Sequence, residues 1–528
     1  MKSPVARAGL VAVSVFAAWW LFRLTERGVG IGSDSVVYMA GARNLFGGEG
    51  FVWKGGDQLP RPINHYPPLY SVALVPGLVL DAPVEDAARW MNAIAMGGNT
   101  FLAGALTGLV SSSGAGAVVG ALLFVASEET ISLHSWAMSD ALYLFFALAC
   151  AVSATRYLQA KGRAHELTMW MAASLGFLTR YVGASLFAIP LAAMLLAERE
   201  GQPRARRAAI GFVFAVLPGA LWLARNAALT GSATNRRLGA FVQDPSWWTS
   251  MGWVIESWFL PGRLQNALAA SNVPGGTILV VGLVVGLLLV WWNARERDPW
   301  NLRSVAPLWI PTILLGVSHL CAIAASAWLT YPGPDLTARN LAPILVTLSV
   351  LFSAVLATAW SRGTGEAKAA AAIAAVAFLT FKGYASRETV ARLLRDGQGY
   401  TSAAWERSQT VRLLQELNPD VLYANDVGAA YYFTGRFAYE IPHRFESLTL
   451  DERTDYHEEL CRMWTRLREN GGLVVFFETA SRVPELPTRE DLQGLLPMVA
   501  DHADGAIFKA GAPPLPECGL RAQESEVD

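Results

Sequence analysis

Apolar runs of about twenty residues recur along the first 384 residues and alternate with short polar stretches. A helix that crosses the hydrocarbon core of a bilayer needs about 20 predominantly apolar residues. The runs that meet this length are 5–24, 87–110, 135–158, 206–228, 274–293, 304–328, 338–360 and 366–384. Shorter or Gly/Pro-interrupted runs are 68–80, 115–130, 166–179 and 181–197. The pattern predicts an α-helical polytopic membrane protein with about 11–12 transmembrane segments.

Clusters of Lys and Arg between the runs predict sidedness, because cytoplasmic loops of membrane proteins carry an excess of these residues. The clusters that we place in the cytoplasm are Lys2/Arg7, Lys161/Arg163, Arg199/Arg204/Arg206/Arg207, Arg295/Arg297 and Arg362/Lys368. The parts that then face outward are the loops 25–67, 229–273 and 329–337, the Arg180-Tyr181 junction, and everything after about residue 385. Between 68 and 134 the alternation fails, so we expect 115–130, which carries Glu128 and Glu129, to be re-entrant or partial.

Two outward-facing stretches predict helices that lie in the membrane interface. The loop 229–273 is rich in interfacial aromatic residues: Trp247, Trp248, Trp253, Trp258 and Phe259. Such side chains favour the plane where headgroups meet the apolar core. Residues 36–46 of the first outer loop predict a second short helix of this kind.

The pattern changes after about residue 385, where charged residues become frequent and no run is long enough to span a membrane. The runs 421–424 and 473–477 predict buried strands, and 403–417 and 453–469 predict helices. We therefore expect a transmembrane domain over 1–384 and a small extracytoplasmic α/β domain over 385–528. The cysteines of the second domain, Cys461 and Cys518, could pair there.

The composition agrees with this division. The mean hydropathy is +0.32, and 16% of the residues are charged, against about 25% in soluble chains. The net charge of -1 gives no reason to expect a nucleic-acid partner. Lys2 and Arg7 precede an apolar run with no small-x-small cleavage site before Arg23, which predicts a retained signal anchor.

Charged residues on the predicted outer side are the candidates for chemistry: Asp34, Asp140, Arg180, Arg225, Arg236, Arg237, Arg339 and His65. Each also has a structural interpretation. Asp34 and Asp140 could cap helices, the arginines could anchor the chain at the interface, and His65 could be a packed histidine. Arginine is rare on the outer side, however, and several arginines near one carboxylate suit an anionic lipid-linked substrate.

Several motifs resemble those of one family. The run Gly32-Ser33-Asp34-Ser35, with Tyr38 and then Tyr66-Pro67-Pro68-Leu69-Tyr70, resembles the first outer loop of GT-C glycosyltransferases. The similarity is to the bacterial branch related to protein O-mannosyltransferases and the lipid A aminoarabinose transferase. The later stretches that resemble this branch are Ser139-Asp140, Thr179-Arg180-Tyr181-Val182-Gly183, Arg339-Asn340-Leu341-Ala342-Pro343 and the tail from Tyr423 to Pro442.

The resemblance implies a GT-C fold and a sugar donor on polyprenyl phosphate, used at the outer face of a bacterial cytoplasmic membrane. By position it makes Asp34 the general base, and it makes Asp140 a carboxylate that either supports the catalytic groups or lies on the acceptor side. Arg180 and Arg339 become candidates for holding the donor phosphate, and Arg225 joins them because of its outer position. The loop residues that it places near the acceptor are Tyr38, His65 and Tyr66. Ser35 stands where many relatives carry an acidic residue, which leaves a divalent metal possible but unassigned.

This transfer reaction is also chemically reasonable without the resemblance. Departure of polyprenyl phosphate from an anomeric carbon builds negative charge on phosphate oxygens, which fixed guanidinium groups stabilise. One aspartate suffices to accept the hydroxyl proton, and a single displacement inverts the anomeric centre, whereas retention needs two close carboxylates. The sequence thus predicts an inverting transferase whose acceptor is a protein, a lipid or a glycan. The alternatives are a transporter or flippase, although no paired repeat with broken segments is evident, and a non-catalytic subunit of cell-envelope glycan assembly.

Overall fold

A computed structural model of the chain describes residues 3–54, 60–197, 204–241, 245–260, 302–331, 333–445, 451–480 and 483–511. The helices are α1 (Pro4–Leu24), α2 (Ser33–Phe46), α3 (Leu69–Val79), α4 (Val84–Ser111), α5 (Gly114–Ala126), α6 (Glu128–Ser135), α7 (Asp140–Ala160), α8 (Arg163–Thr179), the 3-10 helix Tyr181–Phe187, α9 (Ala188–Leu196), α10 (Arg204–Thr230), α11 (Pro245–Phe259), α12 (Leu302–Leu329), α13 (Ala342–Arg362), α14 (Gly365–Asp396), α15 (Ala403–Glu406), α16 (Gln409–Leu417), α17 (Val427–Thr434), α18 (Tyr456–Glu469) and α19 (Arg489–Leu495). The strands are β1 (Val52–Lys54), β2 (Pro60–Pro62), β3 (Arg237–Leu238), β4 (Thr330–Tyr331), β5 (Leu422–Ala424), β6 (Tyr439–Glu440), β7 (Leu473–Phe477), β8 (Met498–His502) and β9 (Gly505–Lys509).

The chain forms two compact units that do not follow its linear order. The first unit comprises residues 1–26 and 63–395, and the second comprises 27–62 and 396–528. The sequence predicts a boundary near 384 and assigns the first outer loop to the transmembrane part. In the structure, most of that loop packs with the C-terminal stretch. Helix α2, which carries Asp34, therefore belongs to the second unit.

Helices long and apolar enough to cross a membrane make up most of the first unit. Among the described residues there are seven of them, or eight if α5 and α6 are one broken span. Two shorter apolar helices, Leu69–Val79 and Tyr181–Leu196, coincide with the shorter runs of the sequence. The predicted segment 274–293 lies outside the described residues. The protein is thus a multi-pass membrane protein, and the predicted class, a helical membrane domain with a small C-terminal α/β domain, is confirmed.

The run 115–130, which the sequence predicts to be re-entrant or partial, contains a sharp bend. The chain bends by 62° between α5 and α6, at Ser127. The acidic start of α6 is held by α14: the ammonium group of Lys382 lies 3.2 Å from Glu129, and the Thr389 hydroxyl donates to Glu128 at 2.7 Å. Lys382 is 2% exposed, and a buried ammonium is tolerated because a carboxylate pairs with it.

Small residues let neighbouring helices of the first unit approach closely, as is common in membranes. A Cβ atom placed on Gly104 of α4 would lie 2.5 Å from the backbone oxygen of Ala117 in α5. A Cβ atom on Gly116 of α5 would lie 2.5 Å from the Cβ of Ala357 in α13. These contacts bring α4, α5 and α13 together at positions where only small residues fit between their backbones.

Helix α11 comprises the aromatic part of the loop 229–273, where the sequence predicts an interfacial helix. Its aromatic residues do not share one environment. Trp253 is 42% exposed, whereas Trp258 is completely buried and packs with Ile323 and Leu341. At least one tryptophan of this helix therefore belongs to the protein interior.

The C-terminal part of the second unit is built on a five-stranded sheet with the order β6-β5-β7-β9-β8. Strands β6, β5 and β7 are parallel, and β9 runs antiparallel to both β7 and β8. The predicted strands correspond to β5 and β7, and the predicted helix 403–417 is divided into α15 and α16. Cys461 is disulfide-bonded, and Cys518 lies outside the described residues.

We expect the substitution Gly104→Ala to destabilise the membrane unit by about 1–3 kcal/mol, because the new methyl group would overlap the backbone of α5. Gly252→Ala in α11 is a matched control, since a Cβ atom there meets nothing within 4 Å and alanine favours a helix. Thermal unfolding of the purified protein measures both changes. Equal melting temperatures for the two variants would contradict the close approach of α4 and α5.

Candidate active site

Asp140 lies where two arginines meet. It is the first residue of α7, and its side chain is 4% exposed. Its Oδ2 accepts a hydrogen bond from Nε of Arg339 at 2.7 Å, and its Oδ1 accepts one from Nη1 of Arg180. The carboxylate therefore does not cap the helix, and its two guanidinium partners leave the cluster with one net positive charge.

The local backbone explains how Arg180 reaches this position. Helix α8 ends at Thr179, and Arg180 takes an extended conformation before the 3-10 helix begins. The amide of Gly183 then donates to the Arg180 carbonyl at 2.8 Å. A Cβ atom on Gly183 would lie 2.4 Å from the carbonyl oxygen of Gly176. Glycine at this position thus allows the turn that presents the guanidinium group.

A chain of polar groups extends the cluster across α12. Nη2 of Arg180 donates to Oδ1 of Asn340 at 2.7 Å. The backbone oxygen of Asn340 lies 2.8 Å from Nε2 of His319, and Nδ1 of His319 lies 3.1 Å from the Tyr143 hydroxyl. A carbonyl oxygen only accepts, so Nε2 of His319 donates to it. In a neutral ring Nδ1 is then left to accept from Tyr143.

The sequence interpretation missed three of these residues: Asn340 as a side-chain ligand of Arg180, His319, and Tyr143. Signals were present for two of them. His319 interrupts the apolar run 304–328, and polar side chains at membrane depth need hydrogen-bond partners. Asn340 directly follows the candidate Arg339.

The cluster lines a cavity of about 10 Å³ together with apolar residues such as Leu133 and Pro343. This volume is close to that of one water molecule. The arginines themselves reach outward, since 32% of the Arg339 side chain and 18% of the Arg180 side chain are exposed. A ligand would therefore meet them on their exposed sides rather than inside the cavity.

Arg225 lies in a neighbouring polar group. Its Nη1 donates to the Ile63 carbonyl at 3.2 Å, and its guanidinium lies 4.8 Å from the centre of the Trp222 ring. The group also includes Tyr181, the residue after Arg180, whose hydroxyl donates to the Asn64 carbonyl at 2.8 Å. The structure thus places Arg225 beside the last part of the first outer loop.

Arg236 is half-buried and lies within electrostatic range of the main cluster. Burial lowers the pKa of its guanidinium, Asp335 and Tyr66 act in the opposite direction, and the positive charge of Arg180 adds to the lowering. Arg237 is exposed and lies in β3, which pairs with β4. The rings of His65 and Tyr66 are half-buried and meet edge to face at 4.7 Å. Arg236 is therefore the candidate of this set on which the charge of Arg180 acts.

Asp34 and Tyr38 lie in the second unit, on α2. Gly32 is the residue that caps this helix, so Asp34 stands in its first turn, where the helix dipole favours a carboxylate. The Ser35 hydroxyl accepts from the Gly32 amide at 3.1 Å and closes the helix start. Tyr38 is 2% exposed and follows one turn later on the same face.

Among the described residues, no group of three or more His, Cys, Asp or Glu side chains is arranged to hold a metal ion. The divalent metal that the sequence leaves possible is therefore assigned no ligands in the described part of the chain.

Three solved structures are similar to the chain. ArnT from Cupriavidus metallidurans bound to undecaprenyl phosphate has a TM-score of 0.53 at 14% identity, over 97% of this chain and 99% of its own. The arabinofuranosyltransferase AftD from Mycobacteria, as the mutant R1389S, has a TM-score of 0.49 at 13% identity, over 96% and 42%.

The third structure is the protein O-mannosyltransferase Pmt1-Pmt2 complex of S. cerevisiae with its sugar donor, with a TM-score of 0.34 at 15% identity, over 44% and 35%. Of the three, the ArnT match has a TM-score high enough to assign a fold, and the resemblance to GT-C proteins that the sequence indicates is confirmed at that level. No protein-family model and no curated protein matches the chain.

We expect Asp140→Asn to destabilise the protein by about 1–3 kcal/mol, because the half-buried guanidinium groups of Arg180 and Arg339 would lose the buried carboxylate that balances their charge. Asp420→Asn is the matched control. Asp420 pairs with Arg436 but is 86% exposed, and exposed pairs contribute about 0–1 kcal/mol. Unfolding in denaturant or by heat distinguishes the two variants. A change at Asp140 as small as that at Asp420 would show that the carboxylate is not essential to the cluster.

Proposed function

We propose that this protein is an inverting glycosyltransferase that moves a sugar from a polyprenyl-phosphate donor to a hydroxyl acceptor on the extracytoplasmic face of a bacterial cytoplasmic membrane. The observation that carries the proposal is the convergence of Arg180 and Arg339 on Asp140 within a GT-C fold. The ArnT structure with undecaprenyl phosphate supports the class of donor, because it is a protein of this fold bound to a polyprenyl phosphate.

Arg180 and Arg339 hold the donor phosphate in this proposal. Asp140 fixes one edge of each guanidinium, which orients both groups and still leaves a net positive charge for the ligand. Arg236 adds a third positive charge to the same surroundings, and Arg225 flanks them. As the bond from the anomeric carbon to the phosphate oxygen breaks, negative charge grows on the phosphate, and fixed guanidinium groups stabilise that charge.

Asp34 is the general base. Its carboxylate accepts the proton of the acceptor hydroxyl while the hydroxyl oxygen forms the new bond to the anomeric carbon. Polyprenyl phosphate leaves from the opposite face of the sugar, which inverts the configuration. A retaining mechanism would need a second carboxylate about 5–5.5 Å away to act as nucleophile. Asp140 is occupied with two arginines, so we assign it the task of positioning them. His65, Tyr66 and Tyr38 remain candidates for the acceptor side.

We expect Asp34→Asn to lower sugar transfer about 10²–10⁴-fold, the usual contribution of a general base. The assay uses full-length protein in liposomes with a panel of undecaprenyl-phosphate-linked mannose, glucose, arabinose and aminoarabinose. Asp420→Asn, an exposed aspartate of the same unit, is the control and should leave the rate unchanged. Undiminished transfer by a folded Asp34→Asn protein would remove Asp34 from the mechanism.

We expect Arg339→Ala to weaken binding of undecaprenyl phosphate about tenfold to hundredfold, because a hydrogen bond to a charged group contributes about 1.5–3 kcal/mol. Thermal stabilisation by added lipid measures the affinity, since a ligand that binds the folded state raises its stability. Arg362→Ala is the matched control, because Arg362 ends the helix α13 that Arg339 precedes. Equal affinity for both variants would contradict the phosphate site.

A further inference from the structure

The segment that leads into α2 is held by a stretch of the chain far away in sequence. The Tyr400 amide donates to the Ile31 carbonyl at 2.9 Å, which accompanies a parallel bridge between Ile31 and Gly399. The Thr401 hydroxyl donates to the Val29 carbonyl at 2.8 Å, across 372 residues. The residues just before α2 are thus fixed by residues 399–401.

Side chains continue this connection to the start of α2. The Tyr400 hydroxyl donates to Oδ1 of Asp426 at 2.7 Å and lies 3.1 Å from the Ser33 hydroxyl. A phenol has one hydrogen to donate, so Ser33 donates to the Tyr400 oxygen. Oδ1 of Asp426 also accepts from the Ala429 amide at 3.0 Å and caps α17. A hydrogen-bonded chain therefore runs from Ser33 through Tyr400 to the N-terminus of α17.

The surroundings keep this chain in one conformation. Tyr400 is 6% exposed, and its ring packs edge to face on Trp405 at 5.3 Å. Burial raises the pKa of the Tyr400 hydroxyl, so it stays protonated and remains a donor. A Cβ atom on Gly428 would lie 2.8 Å from Cα of Ser33. The backbones of α2 and α17 are consequently in direct contact, with no room for the helix start to shift toward α17.

We propose that Tyr400 and Asp426 are positioning residues that fix the first turn of α2 and, through Ser33, the carboxylate of Asp34. The inference rests on the proposed role of Asp34 as the base. Ser33 directly precedes Asp34, so a displacement of one moves the other. A reacting group misplaced by about 1 Å can cost about 100-fold in rate. The C-terminal stretch would then contribute to catalysis by holding the base, in addition to any contact with an acceptor.

The test compares substitutions in the full-length protein in liposomes. Tyr400→Phe removes both side-chain hydrogen bonds and keeps the ring packing, so kcat should fall about 10-fold to 100-fold with an unchanged affinity for undecaprenyl phosphate. Ser33→Ala removes the hydrogen bond between the Ser33 and Tyr400 hydroxyls. Ser33 is exposed, so this variant should fold normally, and its kcat should also fall. Asp426→Asn keeps an oxygen that can accept from the Tyr400 hydroxyl and the Ala429 amide, so its kcat should remain close to that of the wild type. Asp426→Ala removes this oxygen and should lower kcat.

The matched control is Tyr439→Phe in the same unit. The Tyr439 ring stacks on Tyr423, and within the described ranges its hydroxyl has no recorded hydrogen bond. This variant should keep the wild-type rate. A normal kcat in Tyr400→Phe would overturn the proposal. So would an equal loss of kcat in Tyr439→Phe, or a Tyr400→Phe defect that consists of weaker lipid binding alone.

Amide hydrogen exchange separates this inference from the function on which it rests. Loss of the connection should speed exchange at residues 36–40 of α2 about tenfold in Tyr400→Phe, whatever reaction the protein carries out. Faster exchange without transfer activity in the wild type would refute the proposed function and leave the structural connection intact. Unchanged exchange in Tyr400→Phe and in Ser33→Ala would refute the positioning role itself.

Discussion

The ion cluster around Asp140 determines how the membrane unit is assembled near its candidate site. The carboxylate lies at the start of α7, and its partners come from the break after α8 and from the segment before α13. Each group alone would be costly to bury among apolar helices. Paired, they tie three distant segments together, and Asn340 and His319 extend the connection to α12. The same contacts that stabilise the fold thereby orient the groups proposed to meet phosphate.

The sign of the charge distinguishes this cluster from the ion cluster at the start of α6. At the bend between α5 and α6, Lys382 faces Glu129, and Glu128 accepts from Thr389. One ammonium beside two carboxylates gives an acidic environment, which repels phosphate. Around Asp140, two guanidinium groups share one carboxylate, which attracts it. Both clusters join separate helices, but the second also has the charge that an anionic lipid requires.

Much of the membrane unit follows from the sequence, because apolar length and breaks are local properties. The described spanning helices overlap the predicted runs, and the run 115–130, predicted to be re-entrant or partial, is divided into α5 and α6 by a bend of 62°. Their predicted position on the outer side also identified Arg180, Arg339 and Asp140 as candidates, and the structure brings these three residues into contact. Pairings between segments hundreds of residues apart could not be predicted, since nothing local identifies a partner. His319, a polar residue within an apolar run, and Tyr400 were missed for this reason.

The unit to which Asp34 belongs does not follow from the order of the segments along the chain. A loop that directly follows a first transmembrane helix is naturally assigned to the membrane part of the chain. Instead, backbone hydrogen bonds to residues 399–401 and the contact of Ser33 with Tyr400 and Gly428 place α2 in the second compact unit. The proposed base and the proposed phosphate ligands thus belong to different units, each with its own core. If both roles are correct, the sites separate kinetically: changes around Asp140 act first on affinity for the lipid, and changes around Tyr400 act first on turnover.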